Sequence, residues 1–196
     1  MKTKSSNIYQ FKITLKAIKP KIWRRIQVPG NYTFWDLHVA IQDVMGWEDY
    51  HLHQFEIINP KTGEKNLIAI PNDEDFYETV SEVKAKISQY FLSAKDKANY
   101  EYDFGDGWEH EVVLEKILPS VVGSRYPQCI DGKRACPPED CGGAWGYEDL
   151  LEIIANPKHP EYQERMEWLG DDFNSEEFDP KLVKFDDPRK RLQTAF

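Results

Sequence analysis

The sequence predicts an α+β fold, a β-grasp-like mixed sheet with one helix packed across it, and three observations carry that prediction. Period-2 alternation over 9–28 gives way to helical spacing over 33–45 and returns over 51–58, the order strand, strand, helix, strand. A second hairpin signal occupies 100–117. The last third reads as mostly helical.

Tyr9, Phe11, Ile13, Leu15 and Ala17 alternate with Gln10, Lys12, Thr14 and Lys16, the pattern of a half-buried strand. Past Lys19-Pro20, the residues Ile22, Arg24, Ile26 and Val28 alternate with Trp23, Arg25 and Gln27 as far as Pro29-Gly30, which makes the other arm of a hairpin. Thr33 with Asp36 has the form of a capping box, and Leu37, Ala40, Ile41, Val44 and Met45 form an apolar stripe that Gly46 ends. A helix over 34–45 follows, its stripe in the core. Residues 51–58 alternate again, 67–70 read as a short strand, 72–78 as an acidic loop and 79–92 as helical.

In the second hairpin, a three-residue loop Gly105-Asp106-Gly107 puts Tyr100, Tyr102, Phe104, Trp108, His110, Val112 and Leu114 on one face. The other face then opposes Asp103 to Glu109 and Glu101 to Glu111, like charges that solvent, a basic neighbour or a cation must relieve. Residues 147–155 and 160–169 read as helices, the second with Pro160 at its first position.

The 196 residues, 23.0 kDa and 40% hydrophobic, suffice to bury a core without disulfides. A single domain 1–196 is expected, with the sheet and packed helix in 1–118 and a Cys/Pro/Gly loop with a helical extension in 119–196. No apolar run approaches the roughly 20 residues of a membrane span, and the first residues lack a signal peptide's apolar stretch, so a cytoplasmic protein without membrane contact is expected.

With 25 Lys and Arg against 34 Asp and Glu, the net charge of −9 excludes broad adhesion to nucleic acid. The charge is uneven. Residues 1–35 hold Lys2, Lys4, Lys12, Lys16, Lys19, Lys21, Arg24 and Arg25 and no acid, which leaves 17 bases against 34 acids in the remainder. Lys19, Lys21, Arg24 and Arg25, with Trp23 and Tyr32 beside them, are candidate phosphate contacts, and Trp108 is a candidate binding residue. Weak nucleic-acid binding is the most this patch predicts, because bases in such a run commonly pair with the protein's own acids.

Two clusters have the residue types of chemistry. Asp103, Asp106, Glu109 and His110 offer carboxylates and an imidazole that could hold a divalent cation or activate water, although a histidine on an aromatic face is more often a packed one. Cys129, Cys136 and Cys141 have six and four residues between them, unlike a zinc knuckle. A zinc site there needs a fourth ligand such as His53 or His110, so well under one equivalent of zinc and no resident cofactor are expected. Cys141 precedes a predicted helix whose N-terminus would favour its thiolate, and His51 and His53 share one face of a strand as a possible chelating pair. No Walker loop, dinucleotide fingerprint, Gly-x-Ser-x-Gly elbow or HExxH is present.

The succession IWRRIQVPGNYTFWDLHVAIQDVMGW, HLHQFEI, YEYDFGDGWEHEVVLEKIL and CIDGKRACPPEDCGGAWGYEDLLEII resembles the plasmid ORF-3-like family, also described as insertion-element passenger proteins, over roughly residues 8–185. Residues 102–110 (YDFGDGWEH) and 135–143 (ACPPEDCGG) are its specific segments. The resemblance implies an α+β fold, a setting on plasmids and transposable elements and, for some relatives, a resolvase-like label. It implies no catalytic residues, and a recombinase nucleophile with Arg partners is not evident in the sequence. A binding or accessory module linked to mobile DNA is therefore expected, with a metal-dependent enzyme at the hairpin and a thiol or zinc protein as the alternatives.

Overall fold

The computed structural model describes residues 7–71, 78–170 and 173–194. The first two alternating runs form β1 (Asn7–Leu15) and β2 (Trp23–Pro29), antiparallel with Tyr9 opposite Val28 and Phe11 opposite Ile26. That register collects Phe11, Ile13, Ile26 and Val28 on a fully buried face, where each side chain contributes roughly 1.5–3 kcal/mol by leaving water. Helix α1 (Phe34–Met45) starts at its capping box, Asp36 N donating to Thr33 Oγ1 at 3.1 Å and Thr33 N to Asp36 Oδ2 at 2.9 Å. It ends at Gly46, whose φ of 92° is left-handed, and Leu37, Ile41 and Val44 are buried as the stripe requires.

Strands β3 (His53–Ile58), β4 (Lys65–Ala69), β5 (Thr79–Ser81), β6 (Lys97–Tyr102), β7 (Trp108–Pro119) and β8 (Gln128–Lys133) complete an eight-stranded sheet in the order β5-β4-β3-β6-β7-β1-β2-β8. Only β4 and β5 run parallel, so the sheet is mixed. One face packs Phe55, Ile68, Tyr100, Tyr102, Trp108, Val112 and Leu114 into a common core with the α1 stripe. The opposite face is polar. On it Glu115, Gln10, Gln27 and Gln128 join β7, β1, β2 and β8 through side-chain hydrogen bonds of 2.8, 2.9 and 2.6 Å.

Several expectations change. Residues 79–92 hold β5 and one 3-10 turn at Ile87–Gln89 in place of a helix, because their backbone groups are engaged elsewhere. Glu82 O and Ala85 O accept from Trp35 N and Phe34 N, and Ile87 N donates to Tyr32 O. The segment thus satisfies first-turn donors of α1 that no intrahelical partner reaches. The expected acidic loop lies, except for Glu78, outside the described residues.

The last third is mixed instead of mostly helical. Residues 119–196 carry all of β8, then α2 (Gly143–Ile154), α3 (Tyr162–Leu169) and α4 (Pro188–Thr194), with irregular chain between them. Helix α3 starts two residues beyond Pro160. Part of the irregular chain is held by partners outside itself: Phe178 lies under the Arg24 guanidinium at 3.7 Å, and Ser175 O accepts from Ala135 N.

In the second hairpin Tyr102 stands opposite Trp108, so the loop spans five residues, 103–107. Asp103 closes it early: its Oδ1 accepts from Gly105 N at 2.9 Å and Asp106 N at 3.3 Å, and its φ of 55° turns it off the strand. Face parity survives, with Tyr100, Tyr102, Trp108 and His110 inward, whereas Phe104 is 50% exposed. The like-charge pair is Glu101 with Glu109, relieved by Gln54 on Glu101 at 2.7 Å and Lys16 on Glu109 at 3.2 Å.

Candidate functional site

Where β3 begins and β6 ends, segments 47–52, 103–107 and 137–146 are tied together. Asp103 N donates to Leu52 O at 2.9 Å, Tyr50 N to the Tyr102 hydroxyl at 3.1 Å, and that hydroxyl in turn to Glu139. Trp47 Nε1 donates to Pro137 O at 3.0 Å, Glu48 N to Glu139 Oε2 at 3.0 Å and Gly142 N to Asp106 Oδ2 at 3.2 Å. The CPPEDCGG loop therefore folds over the second hairpin. At the junction His51 Nε2 lies 3.2 Å from Asp140 Oδ1 and 3.7 Å from Asp103 Oδ2. The same three segments carry Tyr50, Leu52, Phe104 and Trp145, which are 50–85% exposed. Beside Asp140, a cleft of about 330 Å³ opens between α2 and α3, lined by Asp149, Glu164, Arg165 and Trp168 among others.

The four residues of the hairpin cluster separate. Asp103 joins His51, and Asp106 accepts from the backbone at the start of α2. Glu109 sits on the polar face with Lys16. His110 is fully buried, its Nδ1 3.3 Å from Tyr100 O and therefore the protonated nitrogen, since a carbonyl only accepts. Burial lowers its pKa to about 3, so it is a neutral core group. Trp108 is 1% exposed and presents no binding surface.

The basic hairpin is spent internally. Arg24 is 1% exposed, Arg25 pairs with Glu115 at 2.7 Å and Asp131 at 2.8 Å, and Lys12 lies over Trp23. Of the four candidate phosphate contacts only Lys19 and Lys21 face solvent without a partner among the described residues.

The three cysteines are unpaired. Burial raises the pKa of Cys129 to about 11 and that of Cys141 to about 12, the Asp106 charge adding to the latter, and burial raises Cys136 as well. The expected thiolate at the start of α2 is outweighed by desolvation. His53 and His110, the imidazoles considered for a zinc site, are engaged elsewhere.

His51 and His53 also part. His51 precedes β3, while His53 points inward, where its Nε2 donates to the fully buried Glu82 at 2.7 Å and its ring stacks on His38 with centroids 3.4 Å apart. His38 Nε2 donates to Asp49 at 2.9 Å, so its Nδ1 accepts from the Tyr100 hydroxyl at 2.8 Å, to which Gln42 donates in turn. Burial, together with the adjacent His53 ring, lowers the pKa of His38 to about 3. Among the described residues two sets of potential ligand groups lie within 4.8 Å of one another, His38 with Asp49 and His53, and His51 with Asp103 and Asp140. Internal hydrogen bonds already occupy the first.

A family model of plasmid pRiA4b ORF-3-like proteins matches residues 7–182. The chain belongs to that family. This ORF-3-like protein is 31% identical over 188 residues to the protein y4hQ of Sinorhizobium fredii, covering 95% of this chain and 91% of that one. It is also similar to the crystal structure of MM3350, a protein of unknown function from Methanosarcina mazei Go1, at 54% identity and a TM-score of 0.86, covering 92% of this chain and 99% of that one. Among the described residues of this ORF-3-like protein no helix is long and apolar enough to cross a membrane.

Its double glycine has a geometric cause. A Cβ on Gly143 would lie 2.4 Å from Asp106 O, at a φ of 68° that side chains rarely adopt, so the hairpin docks on α2 only if this position is bare. Gly143→Ala is expected to cost about 2 kcal/mol or more, whereas Gly123→Ala, at a φ of 87° with open space around it, should cost only the roughly 1 kcal/mol of the backbone conformation. Urea midpoints of the two variants check this; equal losses would remove the docking argument.

Proposed function

We propose that this chain is a binding protein that takes a cationic segment of a partner protein at the loop end of the sheet. The observation that carries the reading is composition at a convergent site: 47–52, 103–107 and 137–146 contain no Lys or Arg and hold Glu48, Asp103, Asp106, Glu139 and Asp140, besides Asp49, which is already paired with His38 and Arg191. The same segments expose Tyr50 by 73%, Leu52 by 68%, Phe104 by 50% and Trp145 by 85%. Carboxylates select positive charge and repel phosphate, and exposed aromatic rings add cation–π and apolar contact for Lys or Arg side chains. The adjoining cleft, lined by Asp149, Glu164 and Trp168 and by Arg165, which pairs with Glu161 at 3.0 Å, extends the surface for a peptide longer than a few residues. An accessory role beside mobile DNA would on this reading run through a basic protein and not through the duplex.

The test is a titration of the full chain, in chelator, with a labelled Lys/Arg-rich peptide containing one aromatic residue, an acidic peptide of equal length and a DNA duplex. At about 0.15 M salt the basic peptide alone should bind, more weakly as salt rises, and Phe104→Ala or Trp145→Ala should each cost about tenfold in affinity. Equal or tighter binding of the acidic peptide or the duplex overturns the reading.

A further inference from the structure

We infer that His51, Asp103 and Asp140 form a three-ligand site for a divalent first-row metal ion. The inference uses the same loop end as the peptide reading but does not depend on it. Donor atoms bound to one ion at about 2.1 Å sit roughly 3.0–3.5 Å apart, and His51 Nε2 stands 3.2 Å from Asp140 Oδ1 and 3.7 Å from Asp103 Oδ2. All three groups fall within 4.8 Å of one another.

The donors are also prepared for a ligand. His51 Nε2 is shielded from solvent and has no hydrogen-bond partner. Asp103 is 7% exposed, and its two oxygens divide the work: Oδ1 is held by the amides of Gly105 and Asp106, which leaves Oδ2 turned to His51 without a hydrogen bond of its own. Carboxylates that ligate metals are commonly fixed through such outer hydrogen bonds. No Lys or Arg of the three segments neutralises the pair of carboxylates.

An imidazole with two carboxylates suits an ion of intermediate hardness, Zn²⁺ or Mn²⁺, better than Mg²⁺ or Ca²⁺, which prefer oxygen alone. Three protein ligands leave at least one position for water or for an incoming donor, and the exposed Asp140 side chain marks the open direction. The hairpin's cation chemistry thus moves from Asp106, Glu109 and His110 to residues drawn from three separate segments.

The full chain, stripped with chelator and dialysed, is titrated with Zn²⁺ and with Mn²⁺ in the absence of peptide. One equivalent should bind. His51→Ala and Asp103→Asn should each weaken binding by about 100-fold or more, beyond the roughly 10–100-fold cost of losing an outer partner. Asp140→Asn, at an exposed side chain that cannot compromise the core, should weaken it too, with circular dichroism unchanged. A Cys129, Cys136 and Cys141 triple Ser variant should retain the full equivalent, and Co²⁺ in the wild type should lack a thiolate charge-transfer band. Less than a fifth of an equivalent, uptake that survives both His51→Ala and Asp140→Asn, or uptake lost in the triple Ser variant overturns the inference. Peptide binding in chelator stands or falls separately.

Discussion

Acidification from about pH 6.5 to about pH 4.5 is expected to remove roughly 5 kcal/mol from the folded state. His38 and His110 are fully buried, and burial lowers the pKa of each to about 3, whereas in the unfolded chain each titrates near 6.5. Between those values the unfolded state holds two protons that the native state refuses. Stability is therefore whole above about pH 6.5 and is lost as pH falls toward about 3, at close to 1.4 kcal/mol per unit for each ring. Over two units the two rings give the stated loss, comparable with the whole stability of many domains. Urea midpoints measured across this range check the slope. His38→Gln or His110→Gln should halve it whatever either does to stability at neutral pH, and a flat profile would show that the rings charge inside the fold.

Arg24→Ala is expected to cost about 3–5 kcal/mol, while Lys19→Ala and Lys21→Ala each stay within about 0.5 kcal/mol. The Arg24 guanidinium donates from Nε to Val44 O at 2.7 Å and from Nη1 to Trp23 O at 3.0 Å and Lys133 O at 3.1 Å, with its plane over Phe178. Val44 O belongs to the last turn of α1, where no intrahelical donor reaches it, so the arginine closes the end of the helix from a neighbouring strand. Truncation leaves those carbonyls without their charged donor and removes the stacked partner of Phe178. Arg24→Lys, able to reach fewer acceptors, should fall between. A loss below about 1 kcal/mol for the alanine variant would return Arg24 to the surface role that the charge run suggested.

The period-2 pattern had already put Arg24 in line with Ile22, Ile26 and Val28, and this spacing was the better guide than the count of bases. Where signals are local the sequence was legible: the Thr33–Asp36 box, the α1 stripe and the paired arms of the first hairpin lie within a few residues of their partners. The second hairpin was readable in parity but not in loop length, because a side chain, Asp103, closes the loop through amides that no pattern of apolar residues reports. Residues 79–92 have a helical pattern but form β5 and one 3-10 turn, because their backbone groups serve α1, a requirement visible only in three dimensions. The loop-end site was half legible. His51 and Asp103 each carry a sequence signal, but their proximity does not, since Asp140, which stands beside them, arrives from a segment 37 residues beyond Asp103. Glu82 and His38 carried no signal at all.

The first helix is enclosed by chain made much later. Trp35 Nε1 donates to Pro188 O at 2.8 Å and Arg191 reaches Asp43 at 2.7 Å across 148 positions, while β1 completes its ladder only with β7. A ribosome making this protein would therefore release the β1–β2 hairpin and α1 long before their neighbours exist. The nascent chain must hold an apolar stripe and an unpaired strand edge in water through most of synthesis, the condition in which chaperone capture competes with folding.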